Sequence, residues 1–183
     1  MVSKLLALTL LSLLSIPMIF IGLLVIITSK GNAVHWSRRI GVNNEEFLMP
    51  KFRTMLKETP LVASNLLETP NAFLSPIGST LRRFSLDELP QLFSVIKGDM
   101  NFIGPRPALF NQNDLILLRS EYGVDKLMPG ITGWAQINGR NNLSIQEKVL
   151  LDAYYLKQKS FKLNIKIIWM TISKVFRGDG VSH

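Results

Sequence analysis

The chain has 183 residues and no cysteine, enough for one domain with its own core, and it excludes a disulfide framework or a cysteine-based zinc site. Two histidines, His35 and His183, cannot build a metal centre alone. The formal charge is +8, from 21 Lys and Arg against 13 Asp and Glu, which suits nucleic acid, anionic lipid or phosphorylated substrates without choosing among them.

Lys4 and Lys30 bracket 25 uncharged, mostly Leu and Ile residues. As a straight helix this run spans roughly 37 Å, enough to cross a hydrocarbon core of about 30 Å. The run is too long for the apolar region of a signal peptide. Pro17 near its middle leaves a carbonyl one turn back without a donor, and Ser12 and Ser15 are placed to repair that gap. From the residues alone this is a spanning helix with a proline kink.

Val34 to Ile40 and Glu46 to Phe52 flank Gly41-Val42-Asn43-Asn44, which predicts a hairpin. Residues 57 to 74 carry Thr-Pro twice and few periodic apolar positions, and are expected to form a loop. Ser75-Pro76 opens a predicted helix, with Ile77, Leu81 and Phe84 on its inner face and Arg82 and Arg83 at its end.

Asp87 and Glu88 follow, adjacent acids between that arginine pair and the turn Pro105-Arg106-Pro107. Ser85 with Glu88 three residues later reads as a capping box, Pro90 fits only the first turn of the next helix, and Gly98 is its stop. Acids in a first helical turn are often only caps. The functional alternative is one carboxylate kept ionised as a nucleophile and a neighbour that holds a cation, with the arginines on phosphate. Two prolines around Arg106 make its backbone rigid, which suits a diphosphate.

Residues 108 to 126 are expected to be helical. In Pro129 to Asn141, three glycines allow close backbone approach, Trp134 is either core or a platform for a base, and Arg140 is an anion candidate. Residues 144 to 157 form a predicted helix capped by Ser144 with Glu147, and Asp152 lies on it. From Ile165 onward, Ile168, Trp169, Ile172, Val175 and Phe176 share one helical face and Lys166, Lys174 and Arg177 lie off it, a basic amphipathic pattern.

The stretch GSTLRRFSLDELPQLFSVIKGDMNFIGPRP resembles the core signature of the monotopic phosphoglycosyl transferases, a family of bacterial sugar transferases. Lys51-Phe52-Arg53-Thr54-Met55, PGITGWAQINGRN and Asp152-Ala153-Tyr154-Tyr155 match the same family in the same order, so the resemblance covers nearly the whole chain.

The resemblance implies a single small α+β domain, mostly helical, with a re-entrant membrane helix over residues 1–30 and a cytoplasmic catalytic domain over 31–183. The latter would hold a short β-hairpin and the amphipathic C-terminal helix. The membrane helix of such proteins breaks at a Ser-Pro pair; here the match is Ser15-Ile16-Pro17, with one residue intervening. Lysine at both flanks suits two cytoplasmic ends.

The reaction implied is transfer of a sugar phosphate from a nucleoside diphosphate sugar, a UDP-sugar, to polyprenol phosphate, with UMP released. It would be the first membrane step of a glycan such as an exopolysaccharide or lipopolysaccharide, at the cytoplasmic face of a bacterial inner membrane. Asp87 is the implied nucleophile, Mg2+ is held by Asp87 and Glu88, and Arg82, Arg83 and Arg106 within Pro105 and Pro107 contact phosphate. Lys51, Arg53, Arg140 and Asp152 are further substrate-binding candidates from the matched motifs. Membrane lipid is an expected partner, a homo-oligomer stays open, and no nucleic-acid module is present. The rival is an inactive family member serving as a membrane-anchored scaffold, against which the intact acid pair and proline turn argue. The sequence does not name the sugar.

Overall fold

The computed structural model describes residues 2–56, 73–139 and 142–177. The loop expected over 57 to 74 and the candidate Arg140 therefore lie largely or wholly outside the described residues.

The first element, α1 (Val2–Ser29), runs through Pro17 without interruption, so Ser15-Ile16-Pro17 does not end it. The serines do not repair the proline gap as expected. Ser12 donates to Leu8 O and Ser15 to Ser12 O, neither to Leu13 O, whose usual donor Pro17 lacks. Ala7, Met18, Val25 and Ser29 are buried at near-helical spacing, giving one inward stripe along the whole helix. The upper part of the stripe packs with Met49, Leu92, Val95 and Met100. The lower part packs with Phe52 and Leu81. The opposite face, including Leu13, Ile16, Phe20 and Ile27, is apolar and exposed.

Strands β1 (Val34–Ile40) and β2 (Glu46–Phe52) form the expected antiparallel hairpin, in register from Val34 against Phe52 to Ile40 against Glu46. Asn43 and Asn44 turn the chain in the left-handed region, which asparagine tolerates better than most residues.

Short helix α2 (Gly78–Arg83) starts later than Ser75-Pro76 predicts, with Ile77 at its N-cap and no side-chain cap. Then come α3 (Gln91–Lys97), β3 (Asn101–Ile103), α4 (Asn113–Glu121), β4 (Gly130–Thr132), α5 (Trp134–Asn138), α6 (Ile145–Gln158) and α7 (Phe161–Arg177). The helix expected over 108 to 126 is only α4 followed by a 3-10 turn at Val124–Lys126, because Gly123 takes a left-handed φ of 71° between them.

Strands β3 and β4 pair in parallel, Asn101 beside Gly130 and Ile103 beside Thr132. A Cβ on Gly104 would run into the Met128 carbonyl, so glycine lets these backbones close on each other just before the proline turn. Ser144 and Glu147 form the predicted reciprocal capping box on α6, Glu147 N–H to Ser144 Oγ at 3.2 Å and Ser144 N–H to Glu147 Oε2 at 2.7 Å. On α7 only Ile167 is buried. The apolar face is turned outward, with Phe161, Trp169 and Phe176 at 82%, 70% and 83% exposure.

Candidate active site

Helix α2 delivers Arg82, the chain reverses at Ser85 (φ 54°), and Leu86–Glu88 form a 3-10 turn before Pro90 leads into α3. The capping box expected between Ser85 and Glu88 is absent. An N-cap needs extended backbone, and Ser85 is left-handed and caps nothing with its side chain. The acid pair thus sits one tight turn ahead of α3, whose far end is closed by Gly98 at φ 104° as predicted. Both acids are only 8% exposed.

Three other segments converge on this turn. Lys51 Nζ, at the end of β2, donates to Glu88 Oε1 at 3.3 Å. Arg106 Nη2, from the proline turn, donates to the same oxygen at 2.7 Å. Arg82 Nε is tied to Thr54 Oγ1 at 2.9 Å and attracts Asp87 electrostatically. Among the described residues no hydrogen bond or ion pair with a defined partner ends on the Asp87 carboxylate. Burial pushes its pKa above the ordinary carboxylate value, Lys51 opposes that rise, and the Glu88 charge adds to it. Burial also brings Lys51 down to about 8, although Glu88 pulls the other way.

The remaining sequence candidates scatter. Because β2 ends at Phe52, Arg53 leaves the strand and donates to Asn32 O at 3.1 Å, beside the end of α1. Arg83 is exposed, with its guanidinium 5.5 Å from the Phe84 ring, and forms no ion pair among the described residues. Sequence reasoning passed over Arg39. It lies on β1 opposite Phe47, on the hairpin face that also carries Lys51, and it feels both Arg106 and Glu88. Its pKa is pushed down to about 9 by burial. Strand alternation was the available signal, since residues 35, 37 and 39 face 51, 49 and 47 in the hairpin register.

The two buried carboxylates are neighbours in the chain, Glu88 clamped by Lys51 and Arg106 and Asp87 without a defined partner among the described residues. The profile described as bacterial sugar transferase matches residues 1–178. The chain belongs to the bacterial sugar transferase family. It is 42% identical over 147 residues to the uncharacterized sugar transferase EpsL of Bacillus subtilis, covering 79% of this chain and 70% of EpsL. It is 33% identical over 165 residues to the UDP-glucose:undecaprenyl-phosphate glucose-1-phosphate transferase of Escherichia coli, covering 85% of this chain and 35% of that protein. The undecaprenyl-phosphate galactose phosphotransferase of Salmonella typhimurium is also 33% identical over 165 residues, with 82% of this chain and 34% of the relative covered. The chain therefore spans about a third of these two relatives, and most of EpsL.

Behind the acid pair the transferase has a second buried ion pair. Asp152, on α6, accepts from Arg119 Nη2 at 2.6 Å and Nε at 3.1 Å, and is 1% exposed. Arg119, on α4, also donates from Nη1 to Arg106 O at 2.8 Å. The structure thus places Asp152 one layer behind Arg106, joined to it through Arg119. Trp134 is partly buried and already engaged, stacked on Tyr154 at 5.7 Å between centroids and with Lys166 Nζ 5.3 Å from its ring.

Proposed function

We propose that this transferase moves a sugar phosphate from a UDP-sugar to polyprenol phosphate through a phosphosugar ester of Asp87, releasing UMP. The observation that carries this reading is the contrast between the two acids. Glu88 is taken by Lys51 and Arg106, whereas Asp87 is buried and bare of defined partners among the described residues. A carboxylate without bound donors keeps its lone pairs for phosphorus. The names of the Escherichia coli and Salmonella typhimurium relatives support undecaprenyl phosphate as acceptor, and the former supports a UDP-sugar as donor.

In the first step an Asp87 oxygen attacks the phosphorus that bears the sugar. The bond from that phosphorus to the bridging oxygen breaks, and its electron pair leaves with UMP. In the second step a phosphate oxygen of polyprenol phosphate attacks the same phosphorus, and the acyl phosphate bond breaks to restore the carboxylate. The product is a polyprenyl-diphosphate-linked sugar. Arg106 and Lys51, both near Glu88, and Arg82, near Asp87, hold the diphosphate oxygens by charge-assisted hydrogen bonds.

Magnesium fits these residues, because a buried carboxylate without a defined partner needs a cation and two adjacent carboxylates suit a hard ion that keeps several waters. Asp87 and Glu88 would hold it. When bound it supplies positive charge against the diphosphate and favours the ionised form of Asp87.

The transferase works at the cytoplasmic face of the membrane, with both ends of α1 on that face and the helix not crossing. Supporting this, α1 lies along the domain at both ends. Lys4 Nζ donates to Lys97 O at 3.3 Å near its start, and Arg53 holds Asn32 O at 3.1 Å just past its end. A helix bound to one body along its length does not leave it to span a bilayer, and its outer apolar face, like that of α7, is suited to lipid.

Incubating the purified protein with polyprenol phosphate and a panel of UDP-sugars tests the reading. UMP release that depends on both substrates is expected, and no release with any donor would sink it.

A further inference from the structure

The turn Pro105-Arg106-Pro107 has an unusual hydrogen-bond supply. Pro105 and Pro107 have no N–H, so the segment cannot join a strand ladder through them. Its carbonyls must still be satisfied where they are buried. Four in succession accept from outside the turn. Pro105 O takes Gly130 N–H at 2.9 Å and Ala108 O takes Ile40 N–H at 3.0 Å. Between them, Arg106 O takes Arg119 Nη1 at 2.8 Å and Pro107 O takes Arg39 Nη1 at 3.1 Å. The outer two bonds are backbone to backbone. The inner two, on the two carbonyls that directly follow the Arg106 side chain along the backbone, come from guanidinium groups.

Both guanidiniums are anchored. Arg119 spends Nε and Nη2 on Asp152, and these side chains are 11% and 2% exposed. Arg39 spends Nε on Ser37 Oγ at 3.1 Å. They reach the turn from different elements, Arg119 from α4 and Arg39 from β1. A small pocket is lined by Pro105, Pro107, Arg119 and Leu127. Arg106 in turn meets Glu88 at 2.7 Å.

We propose that Arg39 and Arg119, the latter oriented by Asp152, are positioning residues that grip the two central carbonyls of the proline turn and so hold the Arg106 fork on Glu88 beside the phosphate site. The role in turnover rests on the reaction proposed above. Neither arginine touches substrate; each acts through Arg106. Arg119 bonds Asp152 through Nε and Nη2 while Nη1 reaches the carbonyl, whereas the three donors of lysine sit on one nitrogen and cannot reproduce this spread, so lysine is expected to keep the ion pair and weaken the grip.

The test is a double-mutant cycle with Arg119→Lys and Arg106→Lys in the full chain, read by kcat and KM for UMP release. Hydrogen exchange of the peptide spanning residues 101–112 and the thermal midpoint are measured beside it. Arg119→Lys alone should lower kcat/KM about 10- to 100-fold, the scale of a catalytic group misplaced by an ångström. In the Arg106→Lys background the same change should cost less than about twofold, because the group it positions is already gone. Exchange of the turn peptide should quicken while the midpoint stays within a few degrees, and Arg39→Lys should behave alike. Equal losses in both backgrounds, or unchanged exchange in the turn, would overturn the proposal. A wild type that releases no UMP from any donor would sink the reaction instead, and the exchange arm would still decide whether the grip exists.

Discussion

Glu88 and Arg106, 18 positions apart, meet at 2.7 Å through a single carboxylate oxygen that Lys51 also approaches at 3.3 Å. This shared oxygen makes the two acids of the pair unlike. Glu88 is an anchor for cations, and Asp87, its chain neighbour, has no defined partner among the described residues.

Replacing Asp87 with Asn keeps the size of the side chain and removes its ability to attack phosphorus. Turnover should fall by at least about three orders of magnitude while the far-ultraviolet circular dichroism is unchanged. Wild type mixed with UDP-sugar and no acceptor should carry a phosphosugar mass on the peptide that contains Asp87. Finding that mass on Glu88 would exchange the two roles, and near-normal turnover of the variant would return Asp87 to a structural part.

Burial raises the pKa of Asp87, so in EDTA the folded state keeps this proton above the ordinary carboxylate value of 3.8. The sign follows from linkage: wild type loses stability as pH rises from that value through the raised one, and Asp87→Asn does not. The midpoint of the variant relative to wild type should therefore climb as pH rises from 3.8 through the raised value of Asp87. Magnesium at neutral pH should raise the wild-type midpoint and leave the variant unmoved, and EDTA should abolish turnover. A constant difference across the pH range, or full activity in EDTA, contradicts this account.

Lys51 has its pKa brought to about 8 by burial, so its charge on Glu88 is present below that pH and is lost as pH rises through it. kcat/KM should decline on the alkaline side near this value. Lys51→Arg keeps the charge and should shift that decline upward by more than one pH unit, though with lower activity because the fork does not fit a lysine site. An alkaline limb that stays in place would assign it to another group.

Tags at the N-terminus and after Lys30 should both be reachable from the cytoplasmic side alone. Protection of one of them until the outer side is opened would make α1 a spanning helix.

The capping box on α6 offers a control remote from the acids. Ser144→Ala should cost about 1 kcal/mol by denaturant titration and leave kcat within about twofold. A stability change below a few tenths would mean that the box contributes nothing to the folded state.

The sequence by itself determined what depends on near neighbours. The hairpin limits follow from alternation around Gly41 to Asn44, and the α6 start follows from a bond between Ser144 and a residue three away. The acid pair and the proline turn were visible as motifs because their residues are contiguous. Even local rules failed at Ser85, where the reversal into Pro90 makes a left-handed residue and a 3-10 turn instead of a cap. Tertiary structure alone decided the rest. Strands β3 and β4 are three residues each, too short for any periodic signal, and they pair only because Gly104 and Gly130 let two distant backbones touch. Arg39 and Arg119 read as ordinary charges in sequence. Their acceptors lie 68 and 13 positions away, on a turn whose prolines give it no donors of its own there. A guanidinium's partner is set by which segments the fold brings within 3 Å of it, and that proximity belongs to the packed chain, not to its local pattern.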